Sequence, residues 1–344
     1  MIAGGMADAV LVVGFEKMFP GSLQSFFNDR ANPTGTSAEM MKATRGVTNA
    51  PGAPQMFGNA GREYMEKYGA KKEDFAEIAR VNHEHSKRNP YSQFQDEYTL
   101  EQVLKSPMIH EPLTKLQCCP TSDGGAAAVL VSQAFLDARP HLKEQAVLIA
   151  GQCLATDAPS LFSRSSIDLL GFDMSKYAAK QALAEAQVDV KDVKVCELHD
   201  CFSANEMITI DALGLSESGK AHEMVRNGDI TYGGKMVINP SGGLISKGHP
   251  LGATGIAQCA ELVWHLRGTS LPSSPGELRE LSPSLTCSSS RLGKQPPHPR
   301  DQCRPPAQPR ARRRRGSHRL QARRRQEQRC RVVGGDWQEE RVGV

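Results

Sequence analysis

Apolar positions in this chain fall into short blocks whose period changes from one block to the next. Residues 9–15, AVLVVGF, are a continuous apolar run, the pattern of a strand covered on both faces. SDGGAAAVLVS, 122–132, is a glycine turn into another such strand, and AVLIAGQCL, 146–154, predicts a third. KKEDFAEIARVNHEHSKR, 71–88, has a helical period and predicts an amphipathic helix with Phe75, Ile78 and Ala79 inward. MSKYAAKQALAEAQ, 174–187, is rich in strong helix formers. VKVCELH, 193–199, predicts a strand, and FSANEMITIDALGL, 202–215, a helix after it. MVINPSGGLISKGHPLGATG, 236–255, predicts a strand and then a glycine-rich loop. IAQCAELVWHL, 256–266, predicts a helix with Ile256, Cys259, Val263 and Leu266 on one stripe. Residues 28–62 are rich in Gly, Pro, Asn and Thr and read as loop with short helices. Strands alternating with helices give an α/β class, with the strands between helix layers.

This patterning stops near residue 267. The overall charge of +4 conceals the change, because the chain is net −7 before Arg267 and net +11 from there on. The later part is Ser/Pro-rich and then Pro/Arg-rich, with too little apolar surface to offset its ordering entropy, so disorder is expected over 268–344. Its RRRR (312–315) and RRR (323–325) runs have no aromatic residues interleaved. They read as a nonspecific polycation, not as a specific nucleic-acid site. No apolar run approaches the roughly 18 residues of a membrane helix. The nine cysteines are scattered without a CxxC pair, which argues against a zinc site or a disulfide scaffold and fits a reducing compartment. No metal site is expected.

Two stretches look like chemistry. In SKGHPLGATGIAQ, 246–258, four glycines lead from a strand into a helix and hold His249 between Gly248 and Pro250. The spacing fits neither a P-loop nor a dinucleotide fingerprint. A tight turn with an incidental histidine is an equal reading. In CELHDCFSANEM, 196–207, His199, Asp200 and Cys201 stand at the carboxyl end of a strand, where open α/β sheets place ligands. One such triplet alone reads as turn residues. Two strand–loop–helix units, each with a histidine at its strand end, favour a site, with Cys201 as base or nucleophile. His83 and His85, two apart on a helix, diverge and are expected to be solvated. Cys118 and Cys119 are expected to be buried structural thiols, and Cys259 a core residue.

Together these motifs resemble the thiolase family. GGMADAVLVVGFEKM is similar to the segment that follows the nucleophile-bearing helix, and SDGGAAAVLVS to the end of the first half-domain. CELHDCFSANE resembles the Asn-Glu-Ala-Phe motif of the second half, and NPSGGLISKGHPLGATGIAQ the Gly-His-Pro block. The His-Asp-Cys-Phe version resembles the sterol carrier protein X branch. The resemblance runs over about residues 1–266.

The resemblance implies a layered αβαβα fold with an incomplete first half. It divides the chain into the remainder of the N-terminal half (1–140, its loop region about 28–115), an incomplete C-terminal half (141–267) and the tail (268–344). It implies thiolysis of a 3-oxoacyl-CoA by coenzyme A, or the reverse condensation, with coenzyme A as substrate and no bound cofactor. Catalytic roles fall to His249 (activating a nucleophilic cysteine and holding the thioester oxygen), His199 (holding a water at the oxyanion) and Cys201 (acid/base). Gly248, Ser246 and Gly252 fall in the coenzyme A and oxyanion region. The partner implied is acyl-CoA, with a homodimer or a thiolase subunit. The compartment implied is the peroxisome, though the final RVGV is not a peroxisomal signal and leaves a cytoplasmic location open.

The family's nucleophilic cysteine has no counterpart here, as residues 1–30 contain no cysteine. Impaired catalysis is therefore expected, with unpaired edges and exposed apolar surface on the first sheet. Two alternatives stand beside it, a non-catalytic acyl-CoA- or lipid-binding or thiolase-subunit-binding isoform and a Cys-His hydrolase using Cys201 and His249.

Overall fold

The computed structural model describes residues 1–21, 29–268 and 331–333. Strand β1 (Ala9–Glu16) is followed by helices α1 (Gly35–Arg45), α2 (Gly52–Tyr68), α3 (Lys72–Ser86) and α4 (Leu100–Lys105). A small antiparallel pair, β2 (Met108–His110) and β3 (Leu113–Thr114), leads to β4 (Gly124–Val131), α5 (Gln133–Asp137) and β5 (Val147–Leu148). The second half runs α6 (Phe172–Ala186), β6 (Val195–Cys196), α7 (Ser203–Ala212), α8 (Ala221–Arg226), β7 (Val237–Ile238) and α9 (Thr254–Arg267). A last strand, β8, spans Arg331–Val333.

β1 pairs antiparallel with β4 in unbroken register from Ala9↔Val131 to Glu16↔Gly124. The order in this sheet is β1-β4-β8-β5, so β1 is an edge strand. It is not covered on both faces as its apolar run suggests. Leu11, Val13 and Phe15 are 65%, 60% and 75% exposed, alternating with more covered neighbours. One face lies on α9, where Gly14 and Gly252 approach so closely that a Cβ on either would meet the other segment's backbone at 2.2 Å.

Other expectations are corrected. Residues 28–62 are largely helical, because α1 and the 17-residue α2 absorb them. The glycines of α2 serve packing, and a Cβ on Gly58 would strike His110 at 2.7 Å. The run 146–154 is extended in strand pairing only at Val147–Leu148. Most of 268–344, where disorder is expected, lies outside the described residues; within it Arg331–Val333 pairs antiparallel with both β4 and β5.

The core gathers α2, α3, α7 and α8. Phe75, Ile78 and Ala79 of α3 are buried as the period predicts. Phe75 and Ile78 pack in one cluster with Tyr64, Met207 and Ile210, and Ala79 in another with Val103 and Ile245. Tyr64 donates its hydroxyl to Asp211 at 2.6 Å, and Asp211 also accepts from Gly219 and Ala221 backbone N–H groups. His83 and His85 are also fully buried, contrary to the solvated reading. His83 bonds the Leu116 carbonyl, and His85 links the Asn239 carbonyl to the Thr231 hydroxyl at 3.0 and 2.8 Å. Cys259 is exposed, because the covered side of α9 carries Thr254, Glu261 and Val263 instead.

Candidate functional site

β6 and β7 are parallel neighbours, Val195 opposite Val237 and Cys196 opposite Ile238. Both strands therefore end on the same edge of the fold, where doubly wound sheets place their ligands. The chain leaving β6 carries His199, Asp200 and Cys201. The chain leaving β7 turns at Asn239, whose φ of 50° is left-handed, and reaches His249 ten residues on. Asn239 fastens the two exits together. Its backbone N–H donates to the Cys196 carbonyl, its side-chain carbonyl accepts from Leu198 N–H, and its amide donates to Glu206.

The result is a pair of imidazoles. The rings of His199 and His249 meet edge-on, with centres 4.9 Å apart and planes at 90°. His199 is exposed and His249 is 8% exposed. Burial, then the neighbouring His199 and Lys247, lower the His249 pKa to about 4, so its ring is neutral at pH 7. The Thr254 hydroxyl lies 2.8 Å from Nδ1 of His249 and 3.1 Å from the Pro250 carbonyl. With its proton given to the carbonyl it accepts from Nδ1–H, and Nε2 of His249 then carries the lone pair a general base needs. The backbone of His249 is fixed as well. Its N–H donates to Ser122, whose hydroxyl donates to Gln93.

Asp200 makes its hydrogen bonds to groups other than the two imidazoles. It is fully buried and accepts from the N–H groups of Leu244 and Ile245 and from the Asn82 amide. Asn82 also donates to Glu206, so one amide bridges two buried carboxyls. Burial raises both acids, and their mutual repulsion adds to the rise of Glu206. Sequence reasoning saw a His-Asp-Cys triplet. It missed that the acid clamps the turn (243–247) leading to His249, and that Asn82, hidden in the helical pattern of α3, supplies the clamp.

Cys201 lies under this turn, 5% exposed, with its thiol pushed well above its usual range by burial and by Cys119 and Asp200. Cys118 and Cys119 are half-buried and run alongside. Burial is the first cause that takes both to about 12. Their segment bridges the site's two loops, with Cys118 paired to Phe202 and Thr121 to His249.

A cleft of about 640 Å³ opens beside His249, lined by Gln93, Ser122, Gly125, Lys247, Gly248 and Pro250 among others. That is within the usual size of small-molecule sites. Gly248, in the lining, has φ 113°, and Ser122 fills the space a Cβ would need. Ser246 does not reach the cleft. It is fully buried, bonded to the Ser86 hydroxyl at 2.6 Å and to the Phe94 carbonyl at 3.2 Å. Gly252 packs on Phe15 and donates its N–H to Glu16, a seam between the two halves. Among the described residues no cluster of three or more metal-type ligands occurs, and no helix is long and apolar enough to cross a membrane.

Family models match both halves of the chain, the thiolase N-terminal domain over residues 1–134 and the thiolase C-terminal domain-like model over 155–277. The chain belongs to the thiolase family. It is 56% identical over 269 residues to sterol carrier protein 2 of Bos taurus, an alignment that takes in 78% of this chain and 49% of that protein. It is 53% identical over 272 residues to non-specific lipid-transfer protein-like 2 of Caenorhabditis elegans, 78% of this chain and 66% of that one. Among solved structures, the Ltp2-ChsH2(DUF35) aldolase superposes with a TM-score of 0.64 at 26% identity, covering 79% of this chain and 68% of that one. This thiolase-family chain thus spans about half the length of the first of these relatives.

Proposed function

We propose that this chain carries the proton-transfer and oxyanion half of an acyl-CoA C-acyltransferase site. The observation that supports it is the meeting of His199 and His249 at one strand edge, with Nδ1 of His249 held at the Thr254 hydroxyl and the Cys201 loop alongside. In thiolysis a thiolate adds to the 3-oxo carbon of the substrate. The bond between its α- and β-carbons then breaks, and the electron pair passes into the thioester as an enolate. His249 takes the proton of the attacking thiol through Nε2. His199, on the open side, orders the water facing the developing oxyanion. Cys201 returns a proton to the α-carbon. A thiol whose pKa is raised keeps its proton at pH 7 and can serve as that donor.

The attacking thiolate is the weak point of this reading for the chain acting alone. Cys118, Cys119 and Cys201 all have raised pKa values, so none of these three is poised as a thiolate. The same fact weighs against a Cys-His hydrolase built on Cys201. The second reading, acyl-CoA binding without turnover, is favoured by the cleft beside Gly248. One experiment separates them. Purified protein is mixed with a 3-oxoacyl-CoA and coenzyme A, and both turnover and binding are measured. We expect binding, with turnover at least roughly 100-fold below an intact thiolase, the scale of losing a nucleophile or a preorganised donor. Turnover within tenfold of an intact thiolase would overturn the impairment. Failure to bind would overturn both readings.

A further inference from the structure

We infer that Cys119 and Cys201 are an oxidisable pair that closes into a reversible disulfide across the site. Cys118 and Phe202 form an antiparallel bridge. One residue along, that pairing sets Cys119 opposite Cys201, and the Cys119 N–H donates to the Cys201 carbonyl at 2.9 Å. Opposed residues in an antiparallel pair project to the same face, with Cα atoms about 5.5 Å apart where they are hydrogen-bonded. Disulfides span Cα separations of about 4.4–6.8 Å. Both cysteines are free thiols. Cys118, the adjacent thiol, faces the other way along the extended backbone. Its Sγ is engaged with the Thr114 carbonyl at 3.3 Å. After burial, Cys119 is the largest influence on the Cys201 thiol, which agrees with their closeness.

The order of events follows from access. Cys119 is half-buried and Cys201 is buried, so Cys119 meets an oxidant first. With a hydroperoxide as oxidant, the Cys119 thiolate attacks the peroxide oxygen and the O–O bond breaks. Cys119 becomes a sulfenic acid and hydroxide leaves with a proton as water (an alcohol, for an organic peroxide). The Cys201 sulfur then displaces the sulfenic oxygen, which departs as a second water, and the S–S bond forms. The two sulfurs together lose two electrons and the peroxide gains them. Burial holds both thiols protonated at pH 7, so the reaction is slow there and quickens as pH rises. A dithiol reductant reverses it. The bond ties the segment 118–121 to the loop of His199. On the functional reading above, it also removes the proton that Cys201 would deliver.

The test uses the full chain, treated with hydrogen peroxide, alkylated under denaturing conditions and digested without reductant. Peptide mass spectrometry is expected to find the Cys119 and Cys201 peptides joined, 2 Da below their sum, and separated by dithiothreitol. The linkage is expected to survive Cys118→Ser and to vanish in Cys119→Ser. Sulfenic or sulfinic acid on Cys119 with Cys201 fully alkylated, a Cys118–Cys119 linkage, or no oxidation at pH 9 would each overturn the inference. The wild-type result decides even if a variant fails to fold. It is also independent of acyl-CoA turnover, so failure of the functional reading leaves it standing.

Discussion

A methyl group on Gly243 would stand 2.1 Å from Oδ2 of Asp200. The acid of the His199-Asp200-Cys201 triplet is therefore packed directly against the turn that delivers His249. It takes the N–H groups of Leu244 and Ile245 at 2.7 and 3.4 Å. The two candidate histidines belong to loops 50 positions apart in sequence, and this buried carboxyl is one of the fasteners that hold them in register.

Gly243→Ala tests the fastener. Its φ of 59° is left-handed, a conformation that costs a residue with a Cβ about 1 kcal/mol. Displacing a buried carboxyl adds an overpacking cost of about 1–3 kcal/mol. The expected loss is about 2–4 kcal/mol in a urea unfolding curve, and a change below about 0.5 kcal/mol would show that the turn yields freely.

Thr254→Val tests the tautomer of His249. Valine keeps the shape of threonine but removes the hydroxyl that meets Nδ1 of His249 at 2.8 Å. An unsatisfied buried donor costs about 1–3 kcal/mol. The imidazole is expected to redistribute its proton toward Nε2, losing the free lone pair. Nitrogen chemical shifts of His249 would show an Nδ1–H form in the wild type and a mixture in the variant. Identical shifts in the two would remove Thr254 from the argument.

Glu197→Gln tests a pH dependence. Burial is the first cause that raises the Glu197 carboxyl to about 8. The folded state therefore holds a proton that the unfolded chain gives up near pH 4.5, and stability falls as pH rises from there toward 8. His249 acts in the opposite sense. With its pKa lowered to about 4, the folded state refuses a proton that the unfolded chain accepts below about 6.5. Stability falls on that account as pH drops from 6.5 to 4. Between pH 6.5 and 8 only the carboxyl effect of this pair operates. The melting temperature is expected to decline over that range, and to decline less in Glu197→Gln. Glutamine can keep both bonds to Ser241, from its backbone N–H and at its hydroxyl. Equal slopes in the two proteins would refute the assignment.

Much of the local structure was legible because it rests on local rules. The helical period of 71–88 put Phe75, Ile78 and Ala79 inward, and the structure buries all three. The alanine-rich 174–187 is helical nearly end to end as α6. Errors arose where burial was inferred from hydrophobicity alone. Leu11, Val13 and Phe15 read as core, yet they share the face of β1 that is left exposed. His83 and His85 read as surface, yet each finds a buried backbone carbonyl partner from a distant segment.

For the candidate site, the sequence by itself determined the chemical inventory: His199, Asp200 and Cys201 after one strand, and His249 between Gly248 and Pro250 after another. Its motifs also resembled a family that the matched domains bear out. Only the tertiary structure decided what each group does. The parallel pairing of β6 with β7 brings the two histidines within contact. Folding turns Asp200 inward onto Asn82 and the 243–247 turn, buries Ser246, and sets Cys119 against Cys201. The physical reason is that orientation and protonation depend on partners remote in sequence. Desolvation and hydrogen bonds from those partners, absent from any local pattern, set which nitrogen of His249 is free and which thiols keep their protons.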